Sequence, residues 1–133
     1  AALVLNQIKR LRRILEYRKI IANAYLEKIR NPNIILPDVP DYAEHTWQTF
    51  HIVAENNKRR DELMTYLKRN GVMSNYGAQC IPATKYYKEK YELNAEIDYP
   101  EAYKAYTSGL AIPMHEKLSE IQINTISNLI NRF

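Results

Sequence analysis

Residues 45–72, HTWQTFHIVAENNKRRDELMTYLKRNGV, carry the strongest indication of the fold. The side chains of residues 45–54 alternate between two faces, as expected for a β-strand that packs on one side. Residues 58–70 have the pattern of an α-helix, with Asn57 as its N-cap, acidic residues in the first turn and basic residues in the last. Gly71 is the residue type that most often follows a helix end. A strand followed directly by a helix predicts a sheet covered by helices.

The segment before this unit predicts one long helix and a connector. Residues 3–29 carry apolar side chains at steps of three and four, with no Gly or Pro, and Pro32 closes the helix. Residues 31–43 contain three prolines and predict an extended connector. The helix has no N-cap residue at its start and the chain does not begin with Met, so we expect a piece of a longer protein whose first helix is entered partway.

The segment after this unit is predicted to contain short strands and short helices in alternation. Residues 72–80 predict a short strand or loop, and residues 83–91 a short helix. Asp98 is a candidate cap for a further helix that ends near Gly109. Residues 110–114 then predict a short apolar strand.

The last helix has the clearest start in the chain. Ser119 and Gln122 form an S-x-x-Q capping box, and Leu118 and Ile123 form the hydrophobic staple across it. The helix is therefore predicted over residues 120–131. Taken together, the elements predict an α+β fold, a small and mainly antiparallel sheet packed against helices, with a long N-terminal helix.

Composition and charge limit the function classes. The chain has 133 residues, of which 46% are hydrophobic, which suits one globular domain. The net charge of +4 is uneven, because residues 1–30 carry +6 and the remainder carries −2. A stand-alone nucleic-acid-binding or interaction module that uses the basic first helix is therefore one alternative. A solvated basic face or an acidic partner is favoured over nucleic acid, since no aromatic residues alternate with these cations.

Targeting signals and reactive groups are scarce. No signal peptide is recognisable and no apolar run reaches the ~20 residues needed to cross a bilayer, so we expect no membrane partner. Cys80 is the only cysteine, which favours a reducing, cytoplasmic location. His45 and His51 lie ~20 Å apart if both belong to one strand, and His115 has no neighbouring ligand type, so no metal site is expected. Three glycines exclude a glycine-rich phosphate loop.

Tyrosine is unusually frequent, with eleven residues, and more than half of them crowd one third of the chain. Tyrosine suits interfaces and ligand pockets, and it also suits a small core that is short of Leu and Phe. The second explanation is favoured. The crowded residues are Tyr86, Tyr87, Tyr91, Tyr99, Tyr103 and Tyr106.

Three segments resemble, in order, the DegT/DnrJ/StrS family of sugar aminotransferases. Residues 1–29, AALVLNQIKRLRRILEYRKIIANAYLEKI, resemble the helix that follows the family's active-site domain. Residues 45–72 resemble its H-x-W-x-x-F strand and the R-D-E-L helix that comes next. Residues 109–130, GLAIPMHEKLSEIQINTISNLI, resemble its closing P-M-[HY]-x-x-L-[ST]-E-x-Q segment. The likeness covers nearly the whole chain.

The resemblance implies the small C-terminal domain of an aspartate aminotransferase-like fold. Residues 1–30 would be a long interdomain helix and residues 31–133 the small α+β domain. The family's Schiff-base lysine and phosphate-binding residues lie upstream of the segment that Ala1 resembles. The resemblance therefore implies a fragment with no catalytic, cofactor-binding or metal-ligating residues of its own. Pyridoxal phosphate (PLP) is expected in the full-length protein, and no cofactor in this fragment.

The parent enzyme implied in this way is a PLP-dependent transaminase. It would move an amino group, usually from glutamate, onto a nucleotide-linked keto sugar in sugar or polysaccharide biosynthesis. This chain would complete the substrate pocket and the dimer without being catalytic alone. Its expected partners are the large domain of the same polypeptide, a second copy in a homodimer, and the nucleotide-sugar substrate.

Residues 74–79, SNYGAQ, depart from the histidine-tyrosine-proline segment that faces the sugar in many members of the family. The stretch is closer to a G-T-Y-A variant within the family. By this resemblance, Tyr76, Gly77 and Gln79 are the expected substrate-facing residues.

The first helix has more apolar residues than one stripe needs. A helix this apolar on a small monomeric domain would expose a large patch, which soluble monomers seldom tolerate. We therefore expect self-association through residues 1–29, as a symmetric dimer. The additional apolar positions are Leu3, Leu5, Ile14, Ile20, Ile21 and Leu26.

Overall fold

The sheet at the centre of the domain has four antiparallel strands in the order β1-β2-β4-β3. The computed structural model describes residues 2–133, with side chains from residue 4 onward. The predicted α+β class is confirmed. The elements in chain order are α1 (Ala2–Lys28), β1 (Ile34–Ile35), β2 (Phe50–Ala54), α2 (Asn57–Arg69), β3 (Asn75–Tyr76), a 3₁₀ turn (Ile81–Ala83), α3 (Lys85–Tyr91), α4 (Ala95–Asp98), α5 (Pro100–Ser108), β4 (Gly109–Ile112) and α6 (Glu120–Arg132).

The two central strands supply the inner face of the core. Phe50 of β2 lies opposite Ile112 of β4, and Ile52 lies opposite Leu110. All four side chains are buried. Because successive side chains of a strand point to opposite faces, this register places one face of both strands in the core together.

The second half of α1 packs on this face. Tyr25 is fully buried, its ring centroid lies 5.0 Å from that of Phe50, and its hydroxyl donates a hydrogen bond of 3.0 Å to the carbonyl of Pro113. Burial raises the pKa of the Tyr25 hydroxyl far above its usual range, so this group stays a neutral donor. The core is completed from the helices by Ile21, Ala22, Ile29, Leu63, Leu67, Ile123, Ile126 and Ile130.

The first half of α1 carries large apolar side chains that are exposed. Val4, Leu5 and Ile8 are 61%, 58% and 60% exposed, and Leu11 is 49% exposed. Ile21 belongs to the core instead, and the side chain of Leu3 lies outside the described residues. Of the other additional positions, Ile20 is exposed, Ile14 is half-buried and Leu26 packs partly against the core. The four exposed residues above and Ile14 form a surface that the domain does not cover, named here the α1 apolar surface.

The end of α1 is tied to the end of α6 by side-chain hydrogen bonds. Asn31 Nδ2 donates to the carbonyl of Ile130 at 2.8 Å, and Asn131 Nδ2 donates to the carbonyl of Lys28 at 2.8 Å. Asn131 Oδ1 accepts from the backbone N–H of Arg30 at 2.7 Å. Carbonyls at a helix end have no partner within the helix, so these contacts satisfy them and fix the two ends together.

The predicted strand over residues 45–54 is wrong in its first half, because β2 begins only at Phe50. Trp47 has φ +50, a left-handed conformation that is uncommon for a bulky residue. The turn is held by Arg18, whose Nη1 donates to the carbonyl of Trp47 at 3.0 Å, and by burial of the indole ring. His45 therefore does not lie on the strand, and its ring contacts Trp47 with centroids 4.3 Å apart.

Two predicted caps are also wrong. The N-cap of α2 is Asn56 and not Asn57, since the Asn56 side chain accepts from the backbone N–H of Arg59. Asp98 is the last residue of α4 rather than the cap of the next helix, and its carboxylate accepts from the backbone N–H of Asn94. In both regions several polar residues compete for one role, and the sequence alone does not rank them.

Other predicted element boundaries differ from the observed ones by a few residues. The connector contains β1, which pairs with the end of β2. The predicted strand over residues 110–114 spans Gly109–Ile112, and Pro113 cannot continue the pairing because it has no N–H. The predicted helix over residues 83–91 divides into the 3₁₀ turn and α3. Within residues 2–133, none of the helices has both the length and the apolar character needed to cross a bilayer.

The capping box at the start of α6 is confirmed. Ser119 Oγ accepts from the backbone N–H of Gln122 at 3.3 Å, and Gln122 Oε1 accepts from the backbone N–H of Ser119 at 2.9 Å. The left-handed conformation expected at Gly71 is also present, with φ +76. Each of these signals acts over a few residues, so the rest of the fold does not alter it.

Replacement of the cap should destabilise the domain measurably. We expect Ser119→Ala to lower the free energy of unfolding by ~1 kcal/mol in urea titrations, because the Gln122 N–H loses its acceptor. Asn128→Ala, on the exposed face of the same helix, is the matched control and should cost nothing measurable. Equal midpoints for Ser119→Ala and the unmodified chain would contradict the role of the cap.

Candidate functional site

The expected substrate-facing residues lie at the edge of the sheet, on and after β3. Tyr76 pairs with Leu110 of β4, and the residue is 59% exposed. Gly77 follows directly and is half-buried, while Gln79 is exposed. The structure thus brings Tyr76 and Gly77 together on one rim of the domain. We name residues 76–79 the rim segment.

A buried arginine lies behind the rim segment. Arg60 of α2 is only 6% exposed, and its guanidinium makes two short contacts with its own helix. Nε donates to Asp61 Oδ1 and lies 2.6 Å from it, and Nη2 donates to Asn57 Oδ1 at the same distance. Burying a guanidinium is costly unless its protons are satisfied, and these contacts satisfy two of them.

The same guanidinium reaches the rim segment and the end of α5. Its carbon lies 4.6 Å from the centroid of the Tyr76 ring, a cation–π contact. Nη1 makes longer hydrogen bonds to the carbonyls of Gly109, at 3.4 Å, and Tyr106, at 3.5 Å. Arg60 therefore holds one face of the Tyr76 ring and leaves much of the remaining surface of that side chain open to a ligand.

His51 of β2 lies beneath the rim segment. Its Nε2 is buried and meets no partner at hydrogen-bond geometry. Desolvation by burial lowers the pKa of the imidazole, and the backbone of Ala105 offsets part of that lowering. The neutral ring is therefore the form that the folded domain favours.

The described lysines do not fit a covalently held PLP. A lysine that forms a Schiff base must lose its proton, and a desolvated environment promotes that loss. Every lysine that the structure describes is exposed except Lys28, which is half-buried in α1. No step of a PLP reaction is therefore derived from the residues of this chain.

The remaining candidate groups are separate from one another. Within residues 2–133 no three His, Cys, Asp or Glu side chains lie together as metal ligands. Cys80 is buried at the start of the 3₁₀ turn, and His115 is exposed. Cys80 directly follows the rim segment, but its thiol is buried and so is not presented to a ligand there.

A cleft of about 760 Å³ lies between α1 and the connector; the sequence did not predict it, although His45 is among its lining residues. Its charges have both signs, with Arg12 and Lys19 on one wall and Asp38 and Glu44 on the other. Mixed charge without a buried polar group gives no preference for one ligand class. Sequence reasoning also missed Arg60, and it considered His51 only as a metal ligand, since neither residue carries a local signal of its contact with the rim segment.

The architecture recurs in solved aminotransferases. They share a small antiparallel sheet that is covered by helices and entered by a long first helix. DesV of S. venezuelae, solved in complex with a ketimine intermediate, matches it with a TM-score of 0.87 at 22% identity. The match covers 98% of this chain and 34% of DesV. The expected fold family is thereby confirmed.

Comparison with protein families gives a more specific assignment than comparison of folds. The profile of the DegT/DnrJ/EryC1/StrS aminotransferase family matches residues 1–131, and the chain belongs to that family. The spore coat polysaccharide biosynthesis protein SpsC of Bacillus subtilis (strain 168) is 29% identical over an aligned stretch that covers 95% of this chain and 33% of SpsC. The dTDP-3-amino-3,6-dideoxy-alpha-D-galactopyranose transaminase of Aneurinibacillus thermoaerophilus is 24% identical, over 87% of this chain and 30% of its own. The chain spans about a third of the length of these relatives.

The lowered pKa of His51 predicts an acid-sensitive fold. The unfolded chain takes up a proton at this ring near pH 6.5, whereas the folded chain resists it. The contribution of His51 to the free energy of unfolding is therefore fully present above that pH. The free energy of unfolding should fall as the pH drops from 7.5 to 5.5. Urea midpoints across this range should show the slope, and His51→Gln should reduce it. His115→Gln is the control for loss of an exposed histidine, and a slope that persists unchanged in His51→Gln would rule out this origin.

Proposed function

We propose that this chain is the sugar-recognising part of a PLP-dependent transaminase that acts on nucleotide-linked keto sugars. The observation that carries the proposal is the family match over residues 1–131, in a chain that spans a third of its curated relatives. The cofactor and its lysine would belong to the rest of the polypeptide, because no lysine within the described residues is buried. When bound there, PLP would serve as the electron sink for the transfer of the amino group.

The substrate class is supported by the names of the relatives and by the rim segment. One relative is a polysaccharide biosynthesis protein and another a transaminase of a dTDP-linked amino sugar. Tyr76 offers an amphipathic ring, which suits the apolar face and the hydroxyls of a sugar. The backbone of Gly77 lies beside Tyr76 on the same rim, and Gln79 is exposed and offers both a donor and an acceptor. We propose that these three residues face the sugar.

The first helix would join the two parts of the longer protein. In this proposal residues 1–30 form an interdomain helix and residues 31–133 form the small domain. The α1 apolar surface is exposed here and would be covered by the large domain of the same polypeptide. The complete enzyme would be a homodimer, and its buried Cys80 suits a reducing, cytoplasmic location.

The basic charge of α1 gives weaker support to a nucleic-acid-binding module. Arg10 forms an ion pair of 2.9 Å with Glu116, and Arg13 lies 5.5 Å from the centroid of the Tyr17 ring. These cations are therefore partly engaged within the domain. Nucleic-acid affinity that falls steeply with salt would be the result that favours such a module.

The proposed function is tested with the longer polypeptide that contains this chain. With PLP, glutamate and a dTDP-linked keto sugar, we expect an amino sugar as product, detected by mass spectrometry. Tyr76→Ala should raise KM for the sugar about tenfold, the equivalent of ~1.4 kcal/mol, and leave the half-reaction with glutamate unchanged. Tyr42→Ala, which removes an exposed tyrosine from the connector, is the matched control. Amino transfer that never accepts a nucleotide-linked sugar would contradict the substrate class.

The chain by itself should bind no PLP through a lysine. We expect no visible absorption band that survives dialysis after incubation with PLP, because the exposed lysines lack the desolvated site that such a bond needs. Lys28→Ala removes the one partly buried lysine in the part of the chain that the structure describes, and it is the variant to compare. A stoichiometric band that disappears in Lys28→Ala would contradict the division of roles proposed above.

The chain by itself should also self-associate through the α1 apolar surface. Sedimentation equilibrium over a range of concentrations should show a dimer, because large exposed apolar residues on one helix gain by mutual burial. Leu5→Glu combined with Ile8→Glu should give a folded monomer. Ile121→Glu, at an exposed apolar residue of α6, is the matched control and should leave the dimer intact. A monomer at high concentration would contradict this use of α1.

A further inference from the structure

The imidazole of His51 occupies space that two glycines leave open. A Cβ atom built on Gly77 would overlap the His51 ring, and its three nearest neighbours would all be atoms of that ring. A Cβ built on Gly109 would also overlap the ring, and it would in addition meet the backbone carbonyl of Ala105. The ring is therefore inserted between the backbones of Gly77 and Gly109.

Neither glycine is needed for its backbone conformation. Gly109 has φ −89 and ψ 149, an extended conformation that any residue adopts, and Gly77 does not have a positive φ in the left-handed region. What these positions require is the absence of a side chain. At Gly77 that requirement comes from His51 alone, whereas at Gly109 it comes from His51 and from the backbone of α5.

The sheet register explains how the ring reaches so far. His51 lies opposite Ala111 of β4, which lies opposite Asn75 of β3. Gly109 is two residues from Ala111 and Gly77 is two residues from Asn75, so all of these residues share the face of the sheet opposite to Phe50. The imidazole thus extends from β2 across β4 to the residue that follows β3.

The rim segment has little other support from the sheet. β3 is an edge strand of two residues, so its pairing with β4 contributes few hydrogen bonds. Two contacts hold the segment from inside the domain, namely the guanidinium of Arg60 against the ring of Tyr76 and the imidazole of His51 against the backbone of Gly77.

We propose that His51 is a positioning residue for sugar recognition, because its imidazole, inserted between Gly77 and Gly109, sets the place of the rim segment. The inference rests on the proposed function for the identity of the ligand, and on the packing of this chain for the positioning itself. His51 touches no substrate in this proposal and acts through Tyr76 and Gly77. The neutral ring suits this place, since neither backbone offers it a counter-charge.

The positioning is tested in this chain by a double-mutant cycle. Gly77→Ala should lower the thermal midpoint by about 5–10 °C, because the new methyl group overlaps the His51 ring. In the His51→Ala background the same substitution should cost less than about 2 °C, since the methyl group then occupies vacated space. Gly109→Ala is the matched control. It should remain costly in both backgrounds, because the carbonyl of Ala105 is still in the way.

Two further readouts separate positioning from general stability. In NMR spectra of His51→Ala, the backbone amides of Tyr76 and Gly77 should shift, whereas those of Ile126 and Ile130, buried in α6, should not. In the longer polypeptide, His51→Ala should raise KM for the nucleotide-linked sugar about tenfold and leave the glutamate half-reaction unchanged. The double variant His51→Ala with Gly77→Ala should recover part of that loss.

Failure of the positioning role and failure of the proposed function give different results. Additive effects of His51→Ala and Gly77→Ala on the midpoint would overturn the positioning role, and they are measured without any enzyme activity. Coupled midpoints together with an unchanged KM for the sugar would overturn the role of His51 in recognition. The stability cycle and the NMR shifts decide the positioning even if the transaminase test of the proposed function fails.

Discussion

The pairing of β2 with β4 is the contact on which the rest of the structure depends. The two strands are far apart in the chain, and their pairing closes a long loop that contains α2, β3 and α5. The entropy of closing such a loop must be offset by burial, and Phe50, Ile52 and Leu110 are each fully buried at this pair. β1 and β3 extend the sheet from either side, and the second half of α1 packs on its inner face through Tyr25.

The molecule has one region with a closed core, built on this pairing, and other regions whose large side chains are left uncovered. The sheet and the second half of α1 share one core, so this region has the packing of an independent domain. The first half of α1 leaves its large apolar side chains uncovered, and the rim segment presents Tyr76 at an open edge. Both features suit a domain that works against a neighbouring surface, which is the arrangement proposed for the longer transaminase.

Local signals in the sequence predicted what depends on local contacts. The capping box at Ser119 and the left-handed Gly71 act within one helical turn, and both are present. The strand start was misplaced because the conformation of Trp47 depends on Arg18, which lies 29 residues earlier. The rim segment was identified only by resemblance, and its supports were missed, since the contact of His51 with Gly77 exists only once β3 is aligned on β4.

Amide hydrogen exchange of this chain, resolved by residue and measured at a dilution that keeps it monomeric, tests the central claim most directly. The claim is one closed core with half of α1 left uncovered. We expect the amides that link β2 to β4 to exchange only through global unfolding, with those of residues 21–28 nearly as slow and those of residues 4–14 faster by orders of magnitude. Slow exchange along the whole of α1 in the monomer, or fast exchange between β2 and β4, would contradict the account.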